Sequence, residues 1–110
     1  MTTSKKRLQH CYDRKGNPIL YPETWCKLFE DKGYQRVAYT DLPGNSRVST
    51  VWLGLDRNLF YDGPPIIFES MVFGPDREEL ACRRYHTEEQ ALQGHDELVK
   101  QWTIEGQRHG

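Results

Sequence analysis

The sequence predicts an α+β fold: an antiparallel sheet of four or five strands, with a C-terminal helix packed on one face and a short N-terminal helix. Two dense apolar runs, 48–55 and 66–73, show the alternation typical of strands. Turn-forming residues separate these runs from two further strand-like segments. Apolar residues at helical spacing occur near both ends of the chain. Together these observations predict one sheet flanked by helices.

A chain of 110 residues fits a single domain, here 1–110, in which we expect 1–10 and 105–110 to be loose polar tails. Hydrophobic residues make up 36% of the chain, which limits the core to a modest size. The three Trp, six Tyr and four Phe add bulk to that core. We therefore expect a small core that is rich in aromatic rings.

Charge and cysteine content argue against several classes of protein. A formal net charge of −1 gives no electrostatic reason to bind a nucleic acid polymer or a membrane surface. No apolar run approaches the roughly 20 residues that span a bilayer, and no apolar stretch follows the basic N-terminus as it would in a signal peptide. The three cysteines, without a Cys-x-x-Cys pair, are typical of reduced thiols. We expect a cytoplasmic protein without disulfides or a tetrahedral zinc site.

The N-terminal helix is predicted at about 23–32. Pro22 suits the first turn of a helix because its missing N–H leaves no hydrogen bond unmade there. Trp25 and Phe29 have the spacing of an apolar helical face. Gly33 follows as a typical helix end.

The sequence predicts four strands, at 34–40, 48–55, 66–73 and 80–86. A tight turn at 41–45 joins the first two, so we expect an antiparallel hairpin there. A polar connector, 56–65, leads to the third strand. Gly54, inside the second strand, marks a bulge or a close approach of two backbones.

The C-terminal helix is predicted from Thr87 to about Trp102. Thr87 and Gln90 form a capping-box pattern, in which each side chain bonds to the other residue's backbone N–H. Gly94 lies inside this helix, where glycine costs roughly 1 kcal/mol relative to alanine. Close packing against a neighbouring element is the reason we expect for it. The apolar stripe of the helix consists of Ala91, Leu92, His95, Leu98, Val99 and Trp102.

The two central strands are apolar on both of their faces. Val48, Thr50 and Trp52 alternate with Val51, Leu53 and Leu55, and the run 66–73 behaves in the same way. Strands show this pattern when both faces of a sheet are covered. One helix covers one face, so we expect a partner subunit or a ligand on the other.

Metal binding and catalysis find little support in the sequence. The four His residues lack His-x-x-x-His or His-Glu-x-x-His spacing, and His95 fits a helix-packing role better than a metal ligand. The serines lack the Gly-x-Ser-x-Gly elbow of a hydrolase. Cys82 stands beside Arg83 and Arg84, which either lower the pKa of its thiol or leave it as a small apolar residue facing the core. We therefore expect no enzymatic activity and no cofactor.

A carboxylate, Glu69, lies within an otherwise apolar strand. An unpaired buried carboxylate is costly, so it needs a cationic partner, for which Arg47 and Arg84 are candidates. An internal ion pair between two strands is favoured over a catalytic acid.

Two polar segments are candidate binding elements. Asp56-Arg57-Asn58 directly follows a buried strand, where it suits either ligand binding or a solvated turn. Arg83-Arg84-Tyr85-His86 combines two guanidinium groups with two rings. That combination suits a phosphorylated ligand with a base, and equally suits an edge strand whose charges discourage aggregation.

Four pieces of the chain resemble a family of small phage and prophage proteins. They are YDRKGNPI…WCKLFED, VSTVWLGLDRN, GPPIIFESMVFG and RYHTEEQALQGHDELV, at 12–31, 48–58, 63–74 and 84–99. The pattern is similar to that of the anti-defence sponge proteins by which phages counter Thoeris immunity. The family strand commonly continues as Gly-Leu-Asp-His, where this chain has Arg57.

The resemblance implies a protein that binds cyclic ADP-ribose isomers, or cyclic oligonucleotide signals, without cleaving them. It further implies a cytoplasmic homo-oligomer in the infected bacterial host, with ligands held near subunit contacts. From residue type and position in the chain, we expect Arg47, Arg83 and Arg84 to meet phosphates in such a site. Phe73, Tyr85 or Trp52 would stack on a base, and Asp56 and Asn58 would hydrogen-bond a ribose or base edge. A protein inhibitor of a host defence enzyme is the alternative, and a small nucleotide hydrolase is less favoured.

Overall fold

The structure, a computed structural model, describes residues 11–58 and 63–109, with side chains through 103. It confirms the predicted α+β class, with four strands in the sheet. The predicted tail 1–10, residues 59–62 of the connector and Gly110 lie outside the described residues. The elements are α1 (Pro22–Glu30), α2 (Lys32–Gln35), β1 (Arg36–Leu42), β2 (Ser46–Trp52), β3 (Phe68–Phe73), β4 (Glu79–Tyr85) and α3 (Glu88–His109).

The four strands form an antiparallel meander in the order β1-β2-β3-β4. The predicted β1–β2 hairpin is confirmed, and a short 3-10 turn at Pro43–Asn45 closes it. Gly44 and Asn45 have φ of 77° and 62° there. Glycine and asparagine tolerate this left-handed region better than other residues.

The first strand begins later than predicted because α2 precedes it. Asp31 ends α1, and its carboxylate then accepts hydrogen bonds from the backbone N–H of Gly33 and Tyr34. This cap starts a new helical turn. Gly33, predicted as a helix end, therefore lies inside α2, and β1 begins only at Arg36.

The second strand ends earlier than predicted because the backbone turns at Gly54. Gly54 has a φ of 76°, and its carbonyl accepts a hydrogen bond from the backbone N–H of Tyr12. A Cβ at this position would overlap the rings of Trp25 and Trp52. The close approach predicted for Gly54 is thus confirmed. It seats the N-terminal segment and α1 against the end of the core.

The core lies between α3 and one face of the sheet, here called the covered face. One cluster centres on Trp52, Phe68 and Tyr85, and the other on Val48 and Val72. The alternation predicted for the central strands is confirmed, since these residues are buried while their strand neighbours are half-buried. Trp25 and Phe29 of α1 pack on the Trp52 cluster.

Helix α3 begins as predicted and ends later. Thr87 Oγ accepts from the backbone N–H of Gln90, and the Gln90 side chain accepts from Thr87 N–H, which confirms the capping box. The helix continues past Trp102 to His109, so the prediction of a loose tail from 105 is wrong up to that residue. A Cβ at Gly94 would overlap the Tyr85 ring, which confirms the expected close packing.

The opposite face of the sheet, here called the open face, carries the other half of each strand. Val51, Met71 and Phe73 are half-buried there, and Tyr39 is 42% exposed. Within 11–58 and 63–109, the long helix α3 packs on the covered face and not on this one. One of the two apolar faces predicted from the sequence is therefore uncovered in the single chain.

Candidate ligand-binding site

Arg47 and Phe73 form a pair at one end of the open face. They are partners across β2 and β3, and the Arg47 guanidinium lies 5.5 Å from the centre of the Phe73 ring. Within the described residues no carboxylate pairs with Arg47. The structure therefore brings together one predicted phosphate partner and one predicted stacking ring, and it leaves the cation available to an anion.

A hollow of about 520 Å³ lies beside Arg47, the cationic member of this pair. Its volume falls within the roughly 300–1,000 Å³ of small-molecule sites. The two turns that end the strands build it. Gly74 N–H donates to the Glu78 carbonyl and a Glu78 carboxylate oxygen accepts from Asp76 N–H, which holds the β3–β4 turn. The lining residues are Asp41, Leu42, Asn45, Ser46, Arg47 and Pro75.

Arg84 serves as the partner of Glu69. Its Nε lies 3.0 Å from Glu69 Oε2, and the Glu69 side chain is 13% exposed. The predicted internal ion pair is thus confirmed with Arg84, and Arg47 is free of that role. Cys82 also lies against this carboxylate, with its Sγ 3.5 Å from Glu69 Oε2.

Neither role considered for Cys82 fits its environment. Partial burial of the sulfur raises the pKa of the Cys82 thiol, and Glu69 raises it further, against a smaller lowering effect of Arg84. The first alternative, a thiol pKa lowered by the neighbouring arginines, therefore does not fit the structure. Cys82 is also exposed on the open face, so it is not a core residue.

The neighbouring Arg83 points to the covered face. It forms an ion pair with Glu97 of α3 at 3.0 Å, and its guanidinium lies 5.8 Å from the centre of the Tyr85 ring. A hollow of about 250 Å³ with Gln90 and Gly94 in its lining adjoins them. Because strand neighbours face opposite sides, Arg83 and Arg84 do not share one site.

Two predicted stacking residues belong to the core. Trp52 has no exposed surface, and its indole N–H donates to the Tyr12 carbonyl at 2.9 Å. Tyr85 is 7% exposed, and its hydroxyl donates to Ser70 at 3.0 Å. Stacking on a ligand base, as predicted for both rings, does not fit these positions. They hold the sheet against α1 and α3.

Asp56 and Asn58 organise the connector that follows β2. One Asp56 carboxylate oxygen accepts from the backbone N–H of Asn58 at 2.8 Å and of Ile66 at 2.9 Å. Asn58 Nδ2 donates to the Pro64 carbonyl. Both side chains lie beyond the end of β2 opposite to Arg47. Their predicted contact with a ligand stays a prediction, and a ligand held at Arg47 would not reach them.

A second hollow, of about 690 Å³, was not found from the sequence. It lies where a bulge between Arg36 and Ala38 interrupts the β1–β2 register. Lys32 and Arg36 bring two cations to it, and Ser49 and Val51 belong to its wall. Lys32 enters this site only because α2 forms, and no residue pattern predicted that helical turn.

A chain of buried hydroxyls surrounds His95 on the covered face. Its Nδ1 lies 2.7 Å from Thr50 Oγ1 and its Nε2 lies 2.9 Å from Thr40 Oγ1. Thr50 also bonds to Ser70, which accepts from Tyr85. Burial lowers the pKa of His95, against a smaller raising effect of Asp96. The imidazole is thus a packed core group in which burial favours the neutral form, and the predicted packing role is confirmed.

A scan against protein-family models, a search of curated proteins and a search of solved structures each give no match. In the ranges that the structure describes, no three His, Cys, Asp or Glu side chains converge as a metal site would require. No helix there has the length and apolar character needed to cross a bilayer.

Proposed function

We propose that this protein binds and sequesters a cyclic nucleotide immune signal in the bacterial cytoplasm during phage infection, without cleaving it. The class of signal is the one that the family resemblance implies, a cyclic ADP-ribose isomer or a cyclic oligonucleotide. One observation carries the proposal. Arg47, free of any carboxylate partner in the described residues, lies against Phe73 beside a hollow of about 520 Å³.

The chemistry of the pair suits a phosphorylated ligand with an aromatic base. A guanidinium binds phosphate through two parallel hydrogen bonds, and this geometry favours arginine over lysine. The Phe73 ring offers a stacking surface for a base, which is typically worth about 1–3 kcal/mol. Asn45 and Ser46 place amide and hydroxyl groups in the lining, where they supply hydrogen bonds to ribose.

Sequestration needs slow release of the ligand, and burial by more than one element favours this. The hollow is formed by two turns and the end of a strand, which hold Arg47 on a rigid support. The second hollow, with Lys32 and Arg36, offers further cations for the phosphates. We propose Arg47 and Phe73 as the central pair of the site.

The test is recovery of an unchanged ligand. The purified protein is incubated with a panel of cyclic ADP-ribose isomers and cyclic oligonucleotides, filtered, denatured and analysed by chromatography. We expect one class of ligand to be recovered intact and in stoichiometric amount. A converted product would show an enzyme instead.

The variant Arg47→Ala tests the location of the site. Loss of a charge-assisted hydrogen bond costs about 1.5–3 kcal/mol, so we expect the affinity measured by titration calorimetry to fall roughly 10- to 150-fold. Lys100→Ala is the control, because Lys100 is an exposed cation on α3, on the far side of the sheet from Arg47. Equal affinity of the Arg47 variant and the native protein would contradict the assignment.

A protein inhibitor of a host defence enzyme is the second candidate. It is favoured by the breadth of the open face, where Tyr39 and Leu80 are exposed beside half-buried apolar residues. A surface of this kind suits contact with a macromolecule. The same panel separates the two functions, because an inhibitor of this class would retain none of the small molecules.

A further inference from the structure

We propose that the open face is the interface between two copies of this chain, related by a two-fold axis that lies in the interface and runs across the strands. The charge pattern of the face carries this inference. The face presents three rows that run across the sheet, and each row contains one residue from each of the four strands. The rows are Arg36–Val51–Glu69–Arg84, Tyr39–Ser49–Met71–Cys82 and Asp41–Arg47–Phe73–Glu79.

The two outer rows carry complementary charges on the same strands. The first row has cations at its ends on β1 and β4, whereas the third row has carboxylates at those ends. A two-fold axis that runs across the strands through the middle row places each strand over the same strand of the partner. It also places the first row of one copy over the third row of the other. Arg36 then faces the partner's Asp41, and Arg84 faces the partner's Glu79. Each pair occurs twice because the interface is two-fold symmetric.

The other face-to-face arrangement is opposed by charge. An axis parallel to the strands would place β1 over β4 of the second copy and keep each outer row over itself. Arg36 would then meet the partner's Arg84, and Asp41 would meet the partner's Glu79. Opposed like charges disfavour an interface, and opposed unlike charges fix its register. The charge pattern therefore selects one of the two axes.

Most residues between these charges are apolar, and the two charged ones have roles of their own: Glu69 is paired with Arg84, and Arg47 is the cation assigned to the ligand. Val51, Met71 and Phe73 are half-buried already, and Tyr39 is 42% exposed in the middle row. A face of four strands of this length covers on the order of 400 Å² as a flat area. Standard interfaces bury about 800 Å² per partner, so we expect a dimer that dissociates on dilution. The axis also stacks the two sheets with their strands roughly aligned, as in sandwiches.

The arrangement has a consequence for the ligand site, and this step rests on the proposed function. The hollow with Lys32 and Arg36 adjoins the first row, and the hollow with Arg47 adjoins the third. Exchange of the outer rows brings each hollow of about 690 Å³ next to the partner's hollow of about 520 Å³. The ligand would then meet cations from both subunits.

Charge exchange tests the interface. Sedimentation velocity across a dilution series should show a dimer for the native protein. The single variants R36E and D41R should each weaken association at least tenfold, because each creates two like-charge contacts. The double variant R36E/D41R restores opposite charges at both symmetry-related contacts, and it should recover the native dissociation constant within about threefold.

The control K100E changes an exposed charge on α3, on the far side of the sheet, and should leave association unchanged. A native protein that is monomeric at every concentration would overturn the inference. So would a dimer that tolerates both single variants, or a double variant that stays as weak as either single one. Far-ultraviolet circular dichroism verifies that all four variants are folded.

The same samples separate this inference from the proposed function. A dimer with the expected charge exchange that retains no nucleotide supports the interface and contradicts the function. A monomer that captures intact nucleotide supports the proposed function and contradicts the interface. Stable capture of a host enzyme by the open face, without self-association, would support the inhibitor and overturn the interface.

Discussion

Single residues on the covered face are constrained by the contact between α3 and the sheet. Gly94 lies over the Tyr85 ring, which is held in the core by its hydrogen bond to Ser70. The helix approaches the sheet closely at this point because glycine has no Cβ. The cost of an interior glycine in α3 is therefore offset by the packing that it permits.

The substitution Gly94→Ala tests this constraint. Alanine gains about 1 kcal/mol of helix propensity, but overpacking against a buried ring costs about 1–3 kcal/mol. We expect a net loss of about 1 kcal/mol in the free energy of unfolding, measured by urea denaturation. Gln93→Ala, at the neighbouring exposed position, should stay within about 0.5 kcal/mol of the native value. A more stable Gly94→Ala variant would show that the helix lies farther from Tyr85.

At the scale of elements, an ion pair with two hydrogen bonds joins the N-terminal segment to the start of α3. Arg14 Nε and Nη2 lie 2.8 Å and 2.6 Å from the two carboxylate oxygens of Glu88. Arg14 Nη1 also donates to the Tyr34 carbonyl, so one side chain joins the N-terminal segment, α2 and α3. The hydrogen bond from Arg14 lowers the pKa of Glu88, which is an acidic residue of the first helical turn.

The variant Glu88→Gln should loosen the N-terminal segment more than it lowers global stability. Both side chains are partly exposed, at 22% and 35%, so the pair is worth about 1 kcal/mol or less after solvent screening. We expect faster amide hydrogen exchange at 11–19, with α3 little changed. Arg14→Ala should have the same effect, and the double variant should add little more. Unchanged exchange at 11–19 in both single variants would contradict this role.

The pKa shift of Glu88 also has a direction in pH. The pKa of Glu88 is lower in the folded than in the unfolded chain. Its ionised carboxylate therefore contributes to the free energy of unfolding above about pH 4.3. That contribution is lost as the pH falls through the folded pKa.

At the scale of the whole molecule, His95 links α3 to the sheet, because its two ring nitrogens form hydrogen bonds with threonine hydroxyl groups of β1 and β2. Its lowered pKa means that the folded state disfavours the protonated form. Asp96 is the charged neighbour that opposes this shift, and its effect is smaller than that of burial. The unfolded chain therefore binds a proton at a higher pH than the folded one.

We expect the free energy of unfolding to fall as the pH drops below about 6.5, the ordinary pKa of histidine. The slope has an upper limit of about 1.4 kcal/mol per pH unit for one group. Urea denaturation between pH 8 and pH 5.5 measures it. The variant His95→Gln should be less stable at pH 8 and should lack this part of the slope. An identical slope in both proteins would assign the pH dependence to other groups.

The fold and the site differ in how much of each could be predicted. The alternation in the central strands, the capping box at Thr87 and the Glu69–Arg84 pair depend on neighbours in sequence or on simple strand pairing, so the sequence indicates them. The candidate site depends on side chains from separate elements. Lys32 and Arg36 come together through α2 and a bulge, and neither leaves a pattern that can be recognised.

The sequence by itself determined the α+β class, the two apolar faces of the central strands and the helical capping at the start of α3. Local spacing and the chemistry of turn residues act within a few residues, so these features are written along the chain. Only the tertiary structure decided which aromatic rings are buried and which lie at the surface. Trp52 and Phe73 have similar surroundings in sequence, but α3 covers one face of the sheet and leaves the other open. Packing between distant segments therefore selects Arg47 and Phe73, rather than Trp52 and Tyr85, as the accessible pair.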